Sequence, residues 1–466
     1  MTGIEEKSLM SGWIERIRRL RCVGLVLAVA LLSAGCAETQ RPEATGKGAV
    51  RGINAIVTSP ELGFLNEERR IGNVNFRGTV GFREWDDLDY TFSFDLLLPG
   101  ESDGLRLASQ YIDVVKDTQY SIALVGTLDD ASIVSWEEPQ RAWTGTEIVF
   151  ESDFVHLSPM TGQVDVYYAV EGTPPVVGNE VGTMSFGERL PYREFPEGDY
   201  ELTLTAPGDP STVLYLGTAT RQSPARRVTV ALFDPDRSVT APVSVNVILP
   251  DGSAVTPSDQ NSPAQLRLLN TLFGAQNVDG YFDGDFGAAV FPDVAFAELS
   301  AYTDLVNPNT TLTVTEAGAP ANVVIEQEIQ TINNTFRMAA VFADAGEVKV
   351  GQYLNESRPV STFPLLRVTD FADNVDTIDI YEREAGTVID DTVFPAFGRV
   401  TVGLTSGYFA TREGMRELTV TAQGEKTPIA TPLVLDLVDG QIVDLIIVDT
   451  ADPAVLEIRV LESVTP

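Results

Sequence analysis

Four stretches of this chain carry a polar residue at the same point of a longer recurring pattern. In three of them the polar residue lies nine residues before an aspartate, which itself lies two residues before a tyrosine. These pairs are His156 with Asp165, Asn270 with Asp279, and Asp370 with Asp379. The first stretch has Asn54 at the polar position and Gly63 in place of the aspartate. A pattern that recurs in order along a chain predicts tandem copies of one structural unit.

Three further features follow the polar position in the same order in every copy: a phenylalanine, an alternating strand-like segment and a third strand-like segment. The phenylalanines are Phe76, Phe186, Phe296 and Phe397, the alternating segments begin at Phe92, Leu202, Leu312 and Leu418, and the third segments begin at Tyr120, Val228, Phe336 and Val443. The phenylalanine precedes the alternating segment by 16 residues in three copies and by 21 in the fourth. We therefore divide the chain into repeats 1 to 4, at residues 50–142, 147–255, 264–358 and 364–463.

Apolar residues within each repeat alternate with a period of two. Segments such as YELTLTA, TTLTVTE and VSVNVIL are rich in β-branched and aromatic residues, and turn-forming segments such as PEGDY and DPDRS separate them. This alternation is typical of strands with one buried face in antiparallel sheets. It predicts an all-β chain of four tandem immunoglobulin-like antiparallel β-sandwich repeats. Four such sandwiches in series would form a rod of roughly 100–150 Å.

The only histidine, His156, lies at the recurring polar position. Asparagine and aspartate occupy this position in the other repeats, and these side chains share hydrogen bonding to nearby backbone at turns and strand ends. They do not share the titration of histidine near neutral pH. We therefore predict structural roles for the recurring polar residues and aspartates. These residues are Asn54, His156, Asp165, Asn270, Asp370 and Asp379.

Residues 1–35 have the features of an export signal. Basic residues, among them Arg16 and Arg21, precede an uncharged apolar run that closes with LLSAGC. The run is too short for a transmembrane helix, which needs about 20 apolar residues. The following segment, AETQRPEATGKGA, has little apolar surface to bury, so residues 36–49 are predicted to form a flexible tether that begins at Cys36.

The segment LSAGC resembles the lipobox of bacterial lipoproteins, although Ser33 stands where that box most often has an aliphatic residue. The resemblance implies cleavage before Cys36, lipid attachment to this cysteine and anchoring in the cell envelope. Because Ala37 is not the aspartate that retains such proteins at the inner membrane, it implies the outer membrane, on its periplasmic or its external side. Cys22 leaves with the signal, so packed cores rather than disulfides must stabilise the repeats.

Repeat 2 carries a more specific resemblance. Its segments VHLSP, VDVYY and SFGERLPYREFPEGDYELTLTA are similar to a bacterial extracytoplasmic domain-of-unknown-function family, family four-three-nine-seven (DUF4397). The chain has Met160 where the family usually has an acidic residue, and the other repeats lack the histidine. The resemblance covers residues 152–235 directly and the other repeats by extension, and it implies a secreted or surface β-sandwich. It implies no catalytic residue.

One acidic turn is a candidate cation site. The segment NVDGYFDGDFG places Asp279, Asp283 and Asp285 near each other, and Ca²⁺ takes six to eight oxygen ligands. The segment lacks the spacing of the EF-hand loop and its distant glutamate. A hydrogen-bonded turn is the alternative interpretation.

Three tryptophans that follow the signal are gathered in and just after repeat 1, beside carboxylates. They are Trp85, Trp136 and Trp143. Tryptophan beside carboxylates can form a platform on which a sugar stacks. The alternative is that these side chains are half-buried in the core or at a junction between repeats.

The chain is strongly acidic, with 67 acidic and 32 basic residues and a formal net charge of −35. Such a charge repels nucleic acid and anionic lipid surfaces. The sequence has no nucleophile elbow, zinc-protease motif, P-loop or dinucleotide fingerprint. We expect a non-catalytic interaction, adhesion or scaffold lipoprotein without a cofactor, bound to the membrane through its lipid only and to an envelope protein or polysaccharide. The alternative is a carbohydrate- or calcium-binding surface lipoprotein.

Overall fold

The computed structural model describes residues 43–97, 104–236, 239–355 and 358–464. Within these ranges the chain forms β-strands and no α-helix. Among the same residues, no helix is long and apolar enough to cross a bilayer. The predicted signal peptide, Cys36 and the first part of the predicted tether lie outside the described residues.

The strands fall into four groups along the chain. Repeat 1 contains β1 (Lys47–Asn54), β2 (Leu62–Asn66), β3 (Arg69–Val74), β4 (Thr79–Asp86), β5 (Asp89–Leu96), β6 (Leu105–Asp113), β7 (Thr118–Gly126) and β8 (Ala131–Pro139). Repeat 2 contains β9 (Val149–His156), β10 (Val164–Val170), β11 (Gly182–Met184), β12 (Arg189–Pro196), β13 (Gly198–Ala206), β14 (Asp209–Leu216), β15 (Thr220–Gln222), β16 (Arg227–Phe233), β17 (Ser244–Ile248) and β18 (Ala254–Val255).

Repeats 3 and 4 follow the same order. Repeat 3 contains β19 (Ala264–Asn270), β20 (Val278–Phe282), β21 (Phe291–Val294), β22 (Glu298–Leu299), β23 (Thr303–Leu305), β24 (Asn309–Glu316), β25 (Ala319–Gln330), β26 (Phe336–Asp344) and β27 (Glu347–Leu354). Repeat 4 contains β28 (Leu365–Asp370), β29 (Ile378–Glu384), β30 (Phe397–Val400), β31 (Phe409–Ala410), β32 (Gly414–Ala422), β33 (Leu433–Leu437), β34 (Ile442–Asp449) and β35 (Leu456–Val464).

Each repeat has two sheets, and the predicted all-β sandwich fold is confirmed. Sheet I contains the strand that ends at the recurring polar residue, and sheet II contains the strand with the recurring aspartate or Gly63. For repeats 1 to 4 in turn, the spatial order of the strands in sheet I is β4-β1-β7-β8, β12-β9-β16-β17-β18, β22-β19-β26-β27 and β31-β28-β34-β35. In sheet II the corresponding orders are β3-β2-β5-β6, β11-β10-β13-β14, β21-β20-β24-β25 and β30-β29-β32-β33. The short strands β15 and β23 add to β13 and β19.

One strand pair in each repeat is parallel, which the alternation did not predict. In sheet I the strand that ends at the polar residue pairs in parallel with the third recurring segment: β1 with β7, β9 with β16, β19 with β26, and β28 with β34. The other neighbouring strands in the described residues are antiparallel. Parallel neighbours need a long crossover connection. The intervening strands of sheet II provide it, so an early and a late strand of each repeat lie side by side.

A hydrophobic core lies between sheets I and II of each repeat. In repeat 1 the ring of Phe64 lies against those of Phe92 and Phe94, with centroids 5.9 and 5.0 Å away, and all three side chains are fully buried. Burial of each such side chain contributes about 1.5–3 kcal/mol to the free energy of folding, relative to an exposed side chain. Gly52 on β1 faces this core, and a Cβ there would lie 2.7 Å from the ring of Phe64. The close approach of the two sheets therefore depends on glycine at this position.

The outer face of sheet I, which points away from this core, is also buried. In repeat 1 it presents Ile53 and Ala123 to Val155 and Ala231 of repeat 2, within one cluster of buried apolar residues. A second cluster joins Leu269, Ala340 and Phe342 of repeat 3 to Phe371, Ile446 and Val448 of repeat 4. The repeats therefore form two face-to-face pairs, 1 with 2 and 3 with 4. The predicted rod of four sandwiches in series is wrong.

The connection between repeats 3 and 4 lies against repeat 1. The guanidinium of Arg358 donates to the carbonyl oxygens of Val57 and Ser59, at 2.5 and 2.7 Å. The backbone N–H of Ser361 donates to the carbonyl of Thr58 at 2.9 Å. The two pairs of repeats thus contact each other through this segment, although Arg358 is separated from Val57 by most of the chain.

The tether predicted over residues 36–49 ends earlier than the sequence indicates. Strand β1 begins at Lys47, which pairs with Asp86 on β4. The backbone N–H groups of Thr45 and Gly46 donate to the carboxylate of Asp87, at 2.7 and 3.0 Å. Strand β1 lies between β4 and β7, so strand pairing and the carboxylate of Asp87 satisfy the backbone of this polar segment.

Candidate functional site

The recurring polar residue is the last residue of the first strand of sheet I in every repeat, and its side chain is buried. In all four copies the backbone N–H two residues further on donates to this side chain. The donors and acceptors are Ile56 to Asn54 at 3.0 Å, Ser158 to His156 at 3.4 Å, Leu272 to Asn270 at 3.1 Å, and Ala372 to Asp370 at 3.0 Å. The shared contact closes the turn after the strand, and it is the hydrogen bonding that these residue types have in common.

His156 uses both ring nitrogens for this turn. Nδ1 accepts from the N–H of Ser158, and Nε2 donates to the carbonyl of Gly162 at 3.0 Å. Burial lowers the pKa of His156, so the neutral ring is favoured. The hydroxyl of Ser158 donates to Asp234 rather than to the histidine. In a catalytic triad the histidine lies between the serine and the acid, so these three side chains do not form one.

The backbone carbonyl of each recurring polar residue accepts a hydrogen bond from one backbone N–H of the same repeat. The donor residues therefore occupy a second position that is equivalent in the four repeats. The donors are the N–H groups of Arg77, Gly187, Ala297 and Gly403. All four donor residues have a positive φ, between 57° and 79°. The residue before the donor is a phenylalanine in repeats 1 to 3 and Val402 in repeat 4. The assignment of Phe397 to this position is therefore wrong, and Val402 restores the spacing of 16 residues to Leu418.

The recurring aspartates stabilise a hairpin of sheet II by accepting hydrogen bonds from neighbouring segments. One carboxylate oxygen of Asp279 accepts from the N–H of Asp293, and the other accepts from the N–H of Gly318, both at 2.8 Å. Asp379 accepts in the same way from Arg399 and Gly424, at 2.9 and 2.8 Å. Asp165 likewise accepts from the hydroxyl of Thr183 and the N–H of Gly208. Gly208, Gly318 and Gly424 all have positive φ at the hairpin turn, where a side chain would be strained.

The three aspartates of the candidate cation site do not converge. Both oxygens of Asp279 are held by backbone N–H groups, as above. Asp283 accepts from the N–H of Thr311 at 2.8 Å, and Asp285 accepts from the N–H of Gly287 at 3.0 Å. In the part of the chain that the structure describes, no group of three or more His, Cys, Asp or Glu side chains is arranged to hold a metal ion. This geometry favours the alternative interpretation, a hydrogen-bonded turn.

The tryptophans lie in three different environments. Trp85 packs into the core of repeat 1 against Tyr90 and Phe92. Trp136 lies on the outer face of sheet I at the contact with repeat 2. Trp143 lies in the connection between the two repeats, with the guanidinium of Arg141 4.0 Å from its ring. They do not form one platform.

Trp136 also lines a groove of about 370 Å³ at the side of repeat 1. Tyr111, which is 61% exposed, lies in the same groove together with Gln110 and Glu137. Aromatic faces beside amide and carboxylate groups can contact the apolar and hydroxyl faces of a sugar. The groove therefore combines one of the three predicted tryptophans with residues that were not predicted.

A third recurring position lies three residues before the polar residue. This position was not predicted from the sequence. It holds Arg51, Asp153, Arg267 and Arg367, all buried on the outer face of sheet I. The segment opposite it carries an aromatic residue six positions after Phe76, Phe186, Phe296 and Val402, namely Phe82, Tyr192, Tyr302 and Tyr408. The three guanidinium groups lie 4.6 or 4.7 Å from the centres of these rings. An arginine within an otherwise apolar strand, as in QLRLLN and LLRVTD, is the signal that could have revealed it.

These charges meet where repeats 1 and 2 are in contact. Arg51 donates to Ser121 of its own repeat at 2.8 Å and to Thr229 of repeat 2 at 2.6 Å. Arg189 of repeat 2 bonds to Asp153 and, across the contact, to Glu138. Burial and the charge of Asp153 raise the pKa of Glu138. Buried ion pairs of this kind add little net stability, but breaking one leaves an unpaired charge.

The contact between repeats 3 and 4 has a different network. Arg367 holds Asp444 through two parallel hydrogen bonds, 2.9 and 2.7 Å long. Arg267 donates to Glu462 at 2.7 Å and lies 4.0 Å from Asp444. Two arginines and two carboxylates therefore balance each other at this junction.

Comparison with known proteins adds a family match. A search of the curated proteins finds no match. Among solved structures, the Bacillus anthracis TIE protein matches 88% of this chain and 69% of its own, at 10% identity and a TM-score of 0.14, which supports no inference about fold or function. A family model described as "Domain of unknown function (DUF4397)" matches residues 48–167. This range covers repeat 1, to which the resemblance of repeat 2 was extended, and the start of repeat 2 up to Tyr167. The resemblance of this chain to the DUF4397 family is thus confirmed, over residues 48–167.

Proposed function

We propose that this chain is a non-catalytic, exported lipoprotein that presents two pairs of β-sandwiches to a protein or polysaccharide of the cell envelope. The observation that carries the proposal is the burial of the central strands of sheet I on both faces in the paired repeats. Its charged residues serve contacts within the molecule. The surface left for a partner is sheet II and the edges of the sheets, where backbone groups can accept a further strand.

Strand β25 is the edge best suited to such a partner. It is the last strand of its sheet, runs from Ala319 to Gln330 and carries no basic residue. Val323 on this strand is 52% exposed. Short strands and lysines commonly protect a sheet edge from pairing. Proline and charged side chains also protect an edge, so the part of this strand that supports strand addition is residues 321–325, between Pro320 and Glu326.

A photo-cross-linking amino acid at Val323 tests this part of the proposal. We expect one dominant adduct in native envelopes, identified by mass spectrometry. The matched control carries the same amino acid at Met160, which is exposed on a loop of repeat 2. The same adducts from both positions, or none from Val323, would contradict the use of β25.

Localisation rests on the lipobox-like segment before Cys36 and is tested separately. In cells that process lipoproteins, the chain should sediment with the outer membrane, and the protein with Cys36→Ser should be released in soluble form. A mass consistent with acylation at residue 36 would support the anchor. Identical fractionation of both proteins would exclude it.

The groove at Trp136 favours carbohydrate as a second candidate partner. Tyr111→Ala removes an exposed ring from this groove and should leave the fold unchanged. If the groove binds sugar, this variant should lose retention on immobilised envelope polysaccharide, whereas Phe394→Ala, which removes an exposed ring from repeat 4, should not. Equal retention of the wild type and Tyr111→Ala would leave the protein partner as the proposal.

A further inference from the structure

A cavity of about 280 Å³ lies where repeats 3 and 4 meet. Repeat 3 lines it with Arg267, Tyr302 and Phe336, and repeat 4 lines it with Ile442, Asp444 and Glu462. The volume is close to the lower end of the range, about 300–1,000 Å³, found for pockets that bind small molecules. The lining combines apolar and aromatic walls with a few convergent charged groups, which is the composition of such pockets.

At the positions of repeats 1 and 2 that correspond to Phe336 and Ile442 of this cavity, the side chains are different. Phe336 and Ile442 begin the parallel partner strands, at the positions that Gln119 and Arg227 hold in the first pair. There the guanidinium of Arg227 bonds to Glu151 of its own repeat and reaches across the contact to the carbonyl of Pro139 and to Gln119. In repeats 3 and 4 an apolar wall replaces this charged group. The cavity therefore results from side-chain changes at positions that are otherwise filled.

Arg267, which lines the cavity, and Arg367, which bonds to the lining residue Asp444, differ in how many of their N–H groups have hydrogen-bond partners. Arg367 donates to both oxygens of Asp444, to Asn355 and to the carbonyl of Leu354. Arg267 is only 5% exposed, and its Nε–H has no hydrogen-bond partner among the described residues. A buried donor without a partner costs about 1–3 kcal/mol. Arg267 is therefore able to bond to an additional acceptor.

Glu462 is an exchangeable partner for Arg267. Its carboxylate accepts from Nη2 of Arg267 at 2.7 Å, but its side chain is 41% exposed. An ion pair with one exposed member contributes about 0–1 kcal/mol, because water competes for the charge. A carboxylate that also reached Nε would form the two parallel bonds that guanidinium groups favour.

We propose that this cavity binds a small carboxylate with an apolar body. The ligand carboxylate displaces Glu462 and bonds to Arg267, while the apolar part lies against Tyr302, Phe336 and Ile442. A cationic ligand does not fit, because Arg267 and Arg367 already cover the rings of Tyr302 and Tyr408 at 4.7 and 4.6 Å. This site is independent of the lipid anchor and of the edge of β25.

The test uses the full chain, calorimetric titration and two matched pairs of probes. The probes are phenylacetate with phenylacetamide, and hexanoate with hexanamide. We expect at least one acid to bind more tightly than its neutral amide. Glu462→Gln removes the competing charge and should tighten binding of the acid several-fold. Arg267→Gln should weaken it roughly tenfold or more, the effect of losing a charge-assisted bond.

Two controls keep the result interpretable. Arg106→Gln changes an arginine–aspartate pair in repeat 1 and should leave binding unchanged. Because Glu462 is partly exposed, its variant should fold even if Arg267→Gln does not. The proposal is overturned if neither acid binds at millimolar concentration to the wild type or to Glu462→Gln. Equal affinity for the acids and their amides would also overturn it.

Discussion

Asp370 holds the position that Asn54 and Asn270 occupy in repeats 1 and 3. The asparagine amides donate to the carbonyls of Val74 and Val294, at 3.3 and 3.1 Å. An ionised carboxylate cannot donate, and Oδ2 of Asp370 is buried without a partner among the described residues. Burial raises the pKa of Asp370 to about 7, against the opposing bond from Ala372. A protonated carboxyl group would restore the missing donor.

Repeat 4 should therefore lose stability as the pH rises. The pKa of Asp370 is higher in the folded state than the value of about 3.9 in an unfolded chain, so its contribution is complete below about pH 4 and is lost as the pH rises through about 7. The loss is on the order of 2–4 kcal/mol. Asp370→Asn should remove it. Hydrogen exchange of β28 and β34 at pH 5 and pH 8 measures this, and equal pH profiles for both proteins would refute it.

Repeat 2 should show the opposite pH dependence. Burial lowers the pKa of His156 below its value in an unfolded chain, so the folded state binds fewer protons. The stability that follows is present above a pH of about 6.5 and is lost as the pH falls below it. His156→Asn keeps an acceptor for Ser158 and should abolish this acid-side loss. Exchange of β9 and β16 at pH 5 and pH 7.5 tests it, with Asp370→Asn as a control that should not alter repeat 2.

The residues that could be predicted are those whose chemistry recurs within a short spacing. Asn54, His156 and Asp165 were found because residue type and spacing agree between copies. Val402 was not, because Phe397 lies nearby and matches by residue type. Equivalence there is a property of the backbone, namely the positive φ of Gly403 and its bond to Asp370. A single chain does not reveal such a property when the side chain has changed.

At the scale of the element, the third recurring strand differs from the alternating strands because it is apolar on both faces. Strands β7, β16, β26 and β34 are apolar on both faces, as in Leu-Ile-Ile-Val of β34, and are buried almost throughout. A continuous apolar run is typical of a strand covered on both faces. The sequence thus indicates that sheet I is covered from outside. Which repeat covers which could not be predicted, because that depends on the paths of the connections.

The hairpins of sheet II should depend on the recurring aspartates and not on calcium. Asp279→Ala leaves the N–H groups of Asp293 and Gly318 without acceptors, so it should destabilise repeat 3 by about 1–3 kcal/mol. Asp283→Ala, at an exposed carboxylate, should cost about 1 kcal/mol or less. Thermal unfolding with and without millimolar Ca²⁺ distinguishes the two interpretations. A calcium-dependent rise of the midpoint that both variants lose would favour the cation site.

At the scale of the whole molecule, the paired contacts combine small apolar side chains with buried charges. Alanine occupies the centre of the outer face in three repeats, at Ala123, Ala231 and Ala340, and allows the sheets to approach closely. The buried arginines fix how the two faces meet, because any other alignment would leave a charge without its partner. The four tandem repeats with short connections therefore form two face-to-face pairs instead of a rod.

The last prediction separates these two arrangements. Ala231→Asp places a carboxylate in the apolar contact between repeats 1 and 2, where it has no partner. Burying an unpaired charge costs several kcal/mol, which exceeds what a contact of this kind can supply. The core of each sandwich lies on the opposite face of sheet I and should persist. We expect small-angle X-ray scattering to show a larger radius of gyration, and proteases to cut the connection near residues 140–148. Ala142→Asp, at an exposed alanine of that connection, is the control and should match the wild type. Sandwiches arranged in series would leave the scattering of both variants unchanged.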